Sequence, residues 1–187
     1  MIASYRDNIQ FNQRKRMYGL EMAIKLLLTG GTIDKHYNES NGELDFTETH
    51  MLDLLKLGRN HADIEIEQAL FKDSLEMTDA DRQIILEACR NSQQDKILIT
   101  HGTDTIVETA TVLGNEKLNK TIVLVGAMIP FVFKHSDAVF NMGFALGAVQ
   151  CLPQGVYVAM NGKVFNWNAV IKNREEGIFE AHPPTFT

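Results

Sequence analysis

The side chains in this sequence best suited to chemistry fall in two short loops. Thr29-Gly30-Gly31-Thr32-Ile33 follows the apolar run Lys25-Leu26-Leu27-Leu28, and His101-Gly102-Thr103-Asp104-Thr105 follows Lys96-Ile97-Leu98-Ile99-Thr100. A threonine hydroxyl becomes a nucleophile only when a neighbouring group accepts its proton. The same residues can also cap helices, since threonine and aspartate both accept hydrogen bonds from a first helical turn. One cap residue suffices for that purpose, and His-Gly-Thr-Asp-Thr holds more polar groups than a cap requires. Loops that follow parallel strands gather at one edge of an open sheet, where ligands bind. Two such loops side by side would line a pocket with threonines.

The elements around them read as alternating strands and helices. Strands are expected at about 24–29, 63–71, 97–100, 120–125 and 155–160, and the continuous apolar run in Lys120 to Val125 is typical of a strand covered on both faces. Helices are expected at 47–57, from caps Thr78 and Asp79 to Asn91, from Ile106 to Leu113, and from a cap at Asp137 to about Gln150. The last is apolar nearly all round, with Gly143 and Gly147 spaced for close backbone approach, which suits a helix buried between subunits. Residues 34–45 hold an Asn-Gly pair and read as a mobile loop or hairpin, and Asn161-Gly162 predicts a second hairpin returning over 163–167. These elements predict a single α/β domain, a doubly wound, flavodoxin- or Rossmann-like parallel sheet in a three-layer αβα arrangement. The domain is placed at 23–174, after a polar, disordered extension at 1–22 and before a tail at 175–187.

Composition excludes several classes of function. Of the net charge of −6, residues 1–22 hold +2, so the remainder at −8 argues against a nucleic-acid surface. The most apolar stretch, 138–149, is shorter than the roughly 20 residues of a membrane span. Cys89 and Cys151 lie in apolar runs without C-x-x-C spacing and read as two buried free thiols of a cytoplasmic protein. Neither a dinucleotide nor a Walker phosphate fingerprint is present, and the six histidines show no ligand spacing, so no metal or organic cofactor is expected.

In order along the chain stand TGGTID at 29–34, DSLEMT at 73–78, THGTDT at 100–105, KTIVLVGAMIP at 120–130, SDAVFN at 136–141 and VAMNGKV at 158–164. Together they resemble the bacterial L-asparaginase family, of asparaginase/glutaminase type, from Leu26 to about Asn173. The resemblance implies an amidohydrolase acting through an acyl-enzyme. It places Thr32 as the nucleophile, Thr103, Asp104 and Lys120 as a second catalytic set, and Ser74 on the substrate's α-carboxylate. Gly31 and Gly102 would supply backbone N–H groups near the substrate, where an oxyanion donor is typically worth about 2.7–4 kcal/mol. A lysine can accept the nucleophile's proton once burial lowers its pKa, by up to about 3–5 units in fully buried groups. The family also carries a tyrosine in its mobile loop; Tyr37 is the candidate here, nearer to Thr32 than the family spacing.

Family members usually add a smaller C-terminal domain that contributes, from a neighbouring subunit, to the amino-group site; this sequence ends where that domain would begin. The expected function is therefore release of ammonia from L-asparagine or a similar small amide by a homo-oligomer. The alternative is a non-catalytic module that binds an amino acid or amide.

Overall fold

The structure is a computed structural model that describes residues 23–183; the expected extension at 1–22 lies outside them. In chain order the elements are β1 (Ile24–Gly30), the hairpin β2 (His36–Asn38) and β3 (Glu43–Asp45), α1 (Met51–Leu57), β4 (Ile64–Lys72), α2 (Asp79–Asn91), β5 (Lys96–Thr100), α3 (Ile106–Asn115), β6 (Thr121–Val125), α4 (Ala138–Cys151), β7 (Gly155–Met160), β8 (Lys163–Asn166), β9 (Val170–Asn173) and β10 (Ile178–Ala181). Every residue of β1 and β6 is buried, as is all of β5 beyond Lys96. Strands bury both faces only when layers cover both sides of the sheet, so the sequence's unbroken apolar runs became its central strands.

The main sheet has the order β4-β1-β5-β6-β7-β8. Its first five strands are parallel, and β8 returns antiparallel on β7. The return uses Asn161 and Gly162, both at positive φ, as the hairpin signal requires. In chain order the parallel strands run 2-1-3-4-5, and the direction of winding reverses between β1 and β5. Such a reversal leaves a crevice outside the carboxyl ends of those two strands. The threonine-bearing loops emerge there.

The other connections fix the rims of that crevice. Thr78 caps α2, accepting from the Asp81 N–H while Asp81 accepts from the Thr78 N–H, a reciprocal capping box. The helix expected at 47–57 begins instead at Met51, because Thr49 and the His50 N–H turn to Asp34. Asp137 does not cap α4 through its side chain; it accepts from the Met128 and Ile129 N–H groups and so holds the loop after β6. Asn141 on α4 extends this brace, donating to Gly126 O at 3.1 Å and to Asp137 Oδ2 at 2.8 Å.

Two expectations are corrected here. Beyond Arg174 the chain is not a tail throughout: β10 pairs with β9, and Phe179 is fully buried with its N–H on Asn161 Oδ1. Only Cys89 is a buried thiol, pushed up to about 12 by burial, whereas Cys151 at the end of α4 is exposed.

Candidate active site

Four loops meet at the carboxyl edge of the sheet, and glycines let them do so. Gly31, at φ +87°, lies so close to the second loop that a Cβ on it would stand 2.3 Å from Gly102 N. A Cβ on Gly102 would in turn stand 2.3 Å from Ser74 Oγ. Such approaches are open only to glycine. Hydrogen bonds fasten the same contacts: Gly31 N–H to Lys72 O at 3.1 Å, Thr105 Oγ1 to Ser74 O at 2.8 Å, and Thr29 Oγ1 to Thr100 O at 2.7 Å. The loop after β6 joins through the Phe131 N–H to Ile33 O at 3.4 Å. Gly31, Thr32, Ser74, Gly102, Thr103 and Asp104 are thus brought to one place.

Lys120 is not among them. It precedes β6, so it lies at the opposite edge of the sheet, where its Nζ donates to Ser92 O at 2.8 Å and Gln94 O at 2.9 Å. Five strand residues separate it from the loop at Gly126, roughly 16 Å at about 3.3 Å per residue. The lysine of the cluster is Lys172. Its Nζ donates to Thr103 Oγ1 at 2.8 Å and to Asp104 Oδ1 at 2.9 Å. Arg174 stands beside it, with Nη1 on the same Asp104 oxygen at 2.8 Å. Lys172 sits on β9, which is anchored by Trp167, whose indole lies against Gly114 of α3, and by buried Val170 and Phe179.

Tyr37 is not brought to the cluster either. Its side chain is 54% exposed, and its hydroxyl lies beside Gly42 at the tip of its own hairpin. The base of that hairpin is held by Asp34, fully buried, which accepts from Thr49 Oγ1 at 3.0 Å and His50 N–H at 2.9 Å. Burial raises the Asp34 carboxyl above the usual carboxylate range, against the pull of those two hydrogen bonds. Lys35 pairs with Asp73, the residue before Ser74. Burial works against ionisation of Asp73, but Lys35 and the Leu75 N–H together hold it below its ordinary value.

His101 positions the second loop from beneath. It is fully buried, with Nδ1 2.8 Å from Gly102 O and Nε2 2.8 Å from Thr109 Oγ1. A carbonyl only accepts, so Nδ1 carries the hydrogen and Nε2 accepts from the Thr109 hydroxyl. Burial pushes this imidazole down from 6.5 to about 4. The unfolded chain therefore takes up the proton first as pH falls. The stabilisation is complete above about pH 6.5 and is lost progressively toward about pH 4, by up to about 3 kcal/mol. Asp81, held down to about 2 chiefly by the Thr78 N–H and Lys72, gives way only at lower pH. His50, lowered mainly by burial, adds to the loss in the same direction as His101. Urea unfolding at pH 7 and pH 4.5 should show a marked fall in the wild type and a smaller one in His101→Gln. Equal falls in both would remove His101 as the cause.

Among the described residues, no group of three or more His, Cys, Asp and Glu side chains could hold a metal ion. The arrangement consists of a threonine hydroxyl on a lysine, that lysine on a carboxylate, and a second threonine loop in backbone contact. No hydrogen bond to another described residue engages the Thr32 hydroxyl. Such a set can move a proton to or from a hydroxyl and hold an acyl group.

A family model described as asparaginase, N-terminal, matches residues 23–181. A protein of Haemophilus influenzae named probable L-asparaginase periplasmic is 32% identical over 174 residues, covering 87% of this chain and 50% of its own length. The thermostable L-asparaginase from Thermococcus kodakarensis superposes with a TM-score of 0.77 at 31% identity, over 87% of this chain and 52% of that one. The probable cytoplasmic L-asparaginase from Campylobacter jejuni gives 0.73 at 31%, over 86% and 53%. The chain spans about half the length of the relatives it matches.

Proposed function

This chain belongs to the asparaginase family through the N-terminal domain of that family, and on that premise we propose that it is an amidohydrolase releasing ammonia from L-asparagine or a similar small amide. The observation that carries the reading is Lys172 Nζ, 2.8 Å from Thr103 Oγ1 and 2.9 Å from Asp104 Oδ1. Asp104 fixes the lysine, and the lysine addresses the Thr103 hydroxyl, the arrangement of an oriented base behind a hydroxyl that passes protons.

In this reading Thr32 is the nucleophile. Its Oγ1 forms a bond to the amide carbon, the carbon–nitrogen bond breaks, and the nitrogen leaves as ammonia with the hydroxyl proton. Water then attacks the resulting ester, releasing the carboxylic acid and restoring Thr32. Thr103, Lys172 and Asp104 relay the protons. The Gly31 N–H itself is taken by Lys72 O, so the other backbone N–H groups of the touching Gly31 and Gly102 loops are the candidates for the developing oxyanion. Ser74, fully buried with an unpartnered Oγ beside Gly102, is the candidate to receive the substrate's carboxylate.

The homo-oligomer belongs to the same proposal. On α4, Val139 and Phe140 are exposed, and a Cβ at Gly143 or Gly147 would meet no described atom within 4 Å. An apolar helix open on one side suits a subunit contact. Cytoplasmic residence rests on two cysteines that form no disulfide. No helix among the described residues is long and apolar enough to cross a membrane.

Ammonia release from asparagine, glutamine and the monoamide of butanedioic acid tests the reading, with Thr32→Ala and Thr103→Val beside the wild type. Turnover of at least one amide, abolished in both variants, is the expected result. Turnover that survives both changes would remove the two-threonine site. A thermal shift with the product acids but no ammonia from any amide would favour the binding module instead.

A further inference from the structure

Ser74 is held from two sides. Thr105 Oγ1, of the loop after β5, donates to Ser74 O at 2.8 Å. On the other side Asp73 caps the one-turn 3-10 helix Ser74–Glu76: its Oδ1 accepts from the Leu75 N–H at 3.0 Å, and its Oδ2 accepts from Lys35 Nζ. Lys35 stands three residues after Thr32, and its N–H donates to Thr32 O at 3.2 Å, closing the turn that carries the Thr32 hydroxyl. One residue therefore ties the turn of Thr32 by its backbone and the turn of Ser74 by its side chain.

The surroundings make this tie a fixed one. The Lys35 and Asp73 side chains are only 18% and 26% exposed, so water and salt screen the pair less than they screen a surface pair. Lys35 Nζ also stands 5.7 Å from the centroid of the Phe46 ring, within cation–π range. Phe46 in turn packs on Phe71 of β4, with ring centroids 5.2 Å apart. Ser74 Oγ, by contrast, is fully buried and makes no hydrogen bond of its own to a described residue. The placement of its turn decides where it meets a ligand.

We infer that Lys35 is a positioning residue: through Asp73 it sets the place of Ser74 relative to Thr32, and with it the affinity for the carboxylate end of a small amide or its product acid. The inference rests on the role proposed for Ser74, but its argument concerns binding and is tested with and without turnover.

A double-mutant cycle on Lys35→Met and Asp73→Asn tests it, with Lys35→Arg as the conservative variant. Asp73→Asn keeps an oxygen for the Leu75 N–H and removes the charge that Lys35 meets. Dissociation constants for L-aspartate and L-glutamate would be measured by calorimetry, KM and kcat by ammonia release from asparagine and glutamine, and stability by urea unfolding. Each single change should raise Kd and KM about tenfold while kcat stays within a few fold. The double variant should be no worse than either single one, and Lys35→Arg should keep most of the affinity. An unchanged Kd in Lys35→Met, with or without a weakened fold, would overturn the inference. So would single effects that multiply in the double variant, a fall in kcat as large as the rise in KM, or no binding of either acid by the wild type. The expected pattern in Kd without ammonia from either amide would uphold the inference and overturn the hydrolase reading. Ammonia release with Kd and KM unmoved in Lys35→Met would do the reverse.

Discussion

Lys172→Met is expected to lower kcat/KM for the best amide by about a hundred- to ten-thousandfold, the range contributed by a positioned acid–base group. Lys120→Met should leave it within a few fold. Methionine keeps the length and apolar stem of lysine and removes its donors. At position 172 it leaves Thr103 Oγ1 and Asp104 Oδ1 without their 2.8 and 2.9 Å partner. At position 120 it strips two carbonyls, Ser92 O and Gln94 O, of a charged donor on the far side of the sheet. The cost there is one of stability, about 1–3 kcal/mol for hydrogen bonds to a charged group. Steady-state ammonia release and urea unfolding on the two variants separate these outcomes. Loss of turnover in Lys120→Met with an intact fold, and retention in Lys172→Met, would return the base to Lys120.

The two lysines show what the sequence discloses and what it hides. Thr32, Ser74, Thr103 and Asp104 are legible because each lies within four residues after a strand, so local pattern puts them at the edge where an α/β sheet binds ligands, while their roles come from the family resemblance. The same polarity argues against Lys120, which precedes its strand and must lie at the opposite edge. Lys172 is 68 positions from Asp104 and reaches it on a hairpin that no periodicity in a four-residue strand reveals. What places that hairpin is tertiary: the Trp167 indole against Gly114, and Phe179 bound to Asn161. The extent of β10 is hidden for the same reason, since Ile178-Phe179-Glu180-Ala181 is too short to declare itself without its partner β9. Tyr37 has the right residue type, yet the Asn41-Gly42 turn folds its hairpin so that the hydroxyl lies over Gly42 rather than toward Thr32. The core strands, in contrast, carry their own signal, because burial on both faces demands unbroken apolar runs.

Gly31→Ala should cost about 2–5 kcal/mol, a large part of the 5–15 kcal/mol by which a domain is stable. Two effects act together. The backbone at Gly31 has φ +87°, a region that costs an L residue about 1–2 kcal/mol. The added methyl would also stand 2.3 Å from Gly102 N and 2.6 Å from Gly102 Cα and His101 C. These are backbone atoms, which cannot swing aside as a side-chain tip can, and forced overpacking costs about 1–3 kcal/mol more. Relief requires the first loop to part from the second, which moves Thr32 away from Thr103 and removes the contact on which the two-threonine chemistry depends. Turnover should therefore fall even in whatever fraction remains folded. Gly143→Ala is the matched comparison. It lies inside α4, where an added Cβ meets no described atom of the same chain within 4 Å, so within one subunit the same chemical change should stabilise the fold by up to about 1 kcal/mol through helix propensity, while any effect on the proposed subunit contact is read separately from the oligomeric state. Urea midpoints and slopes for the two variants, read beside ammonia release, check both signs. A Gly31→Ala protein as stable and as active as the wild type would mean that the two loops do not touch, and with them the proposed site would come apart.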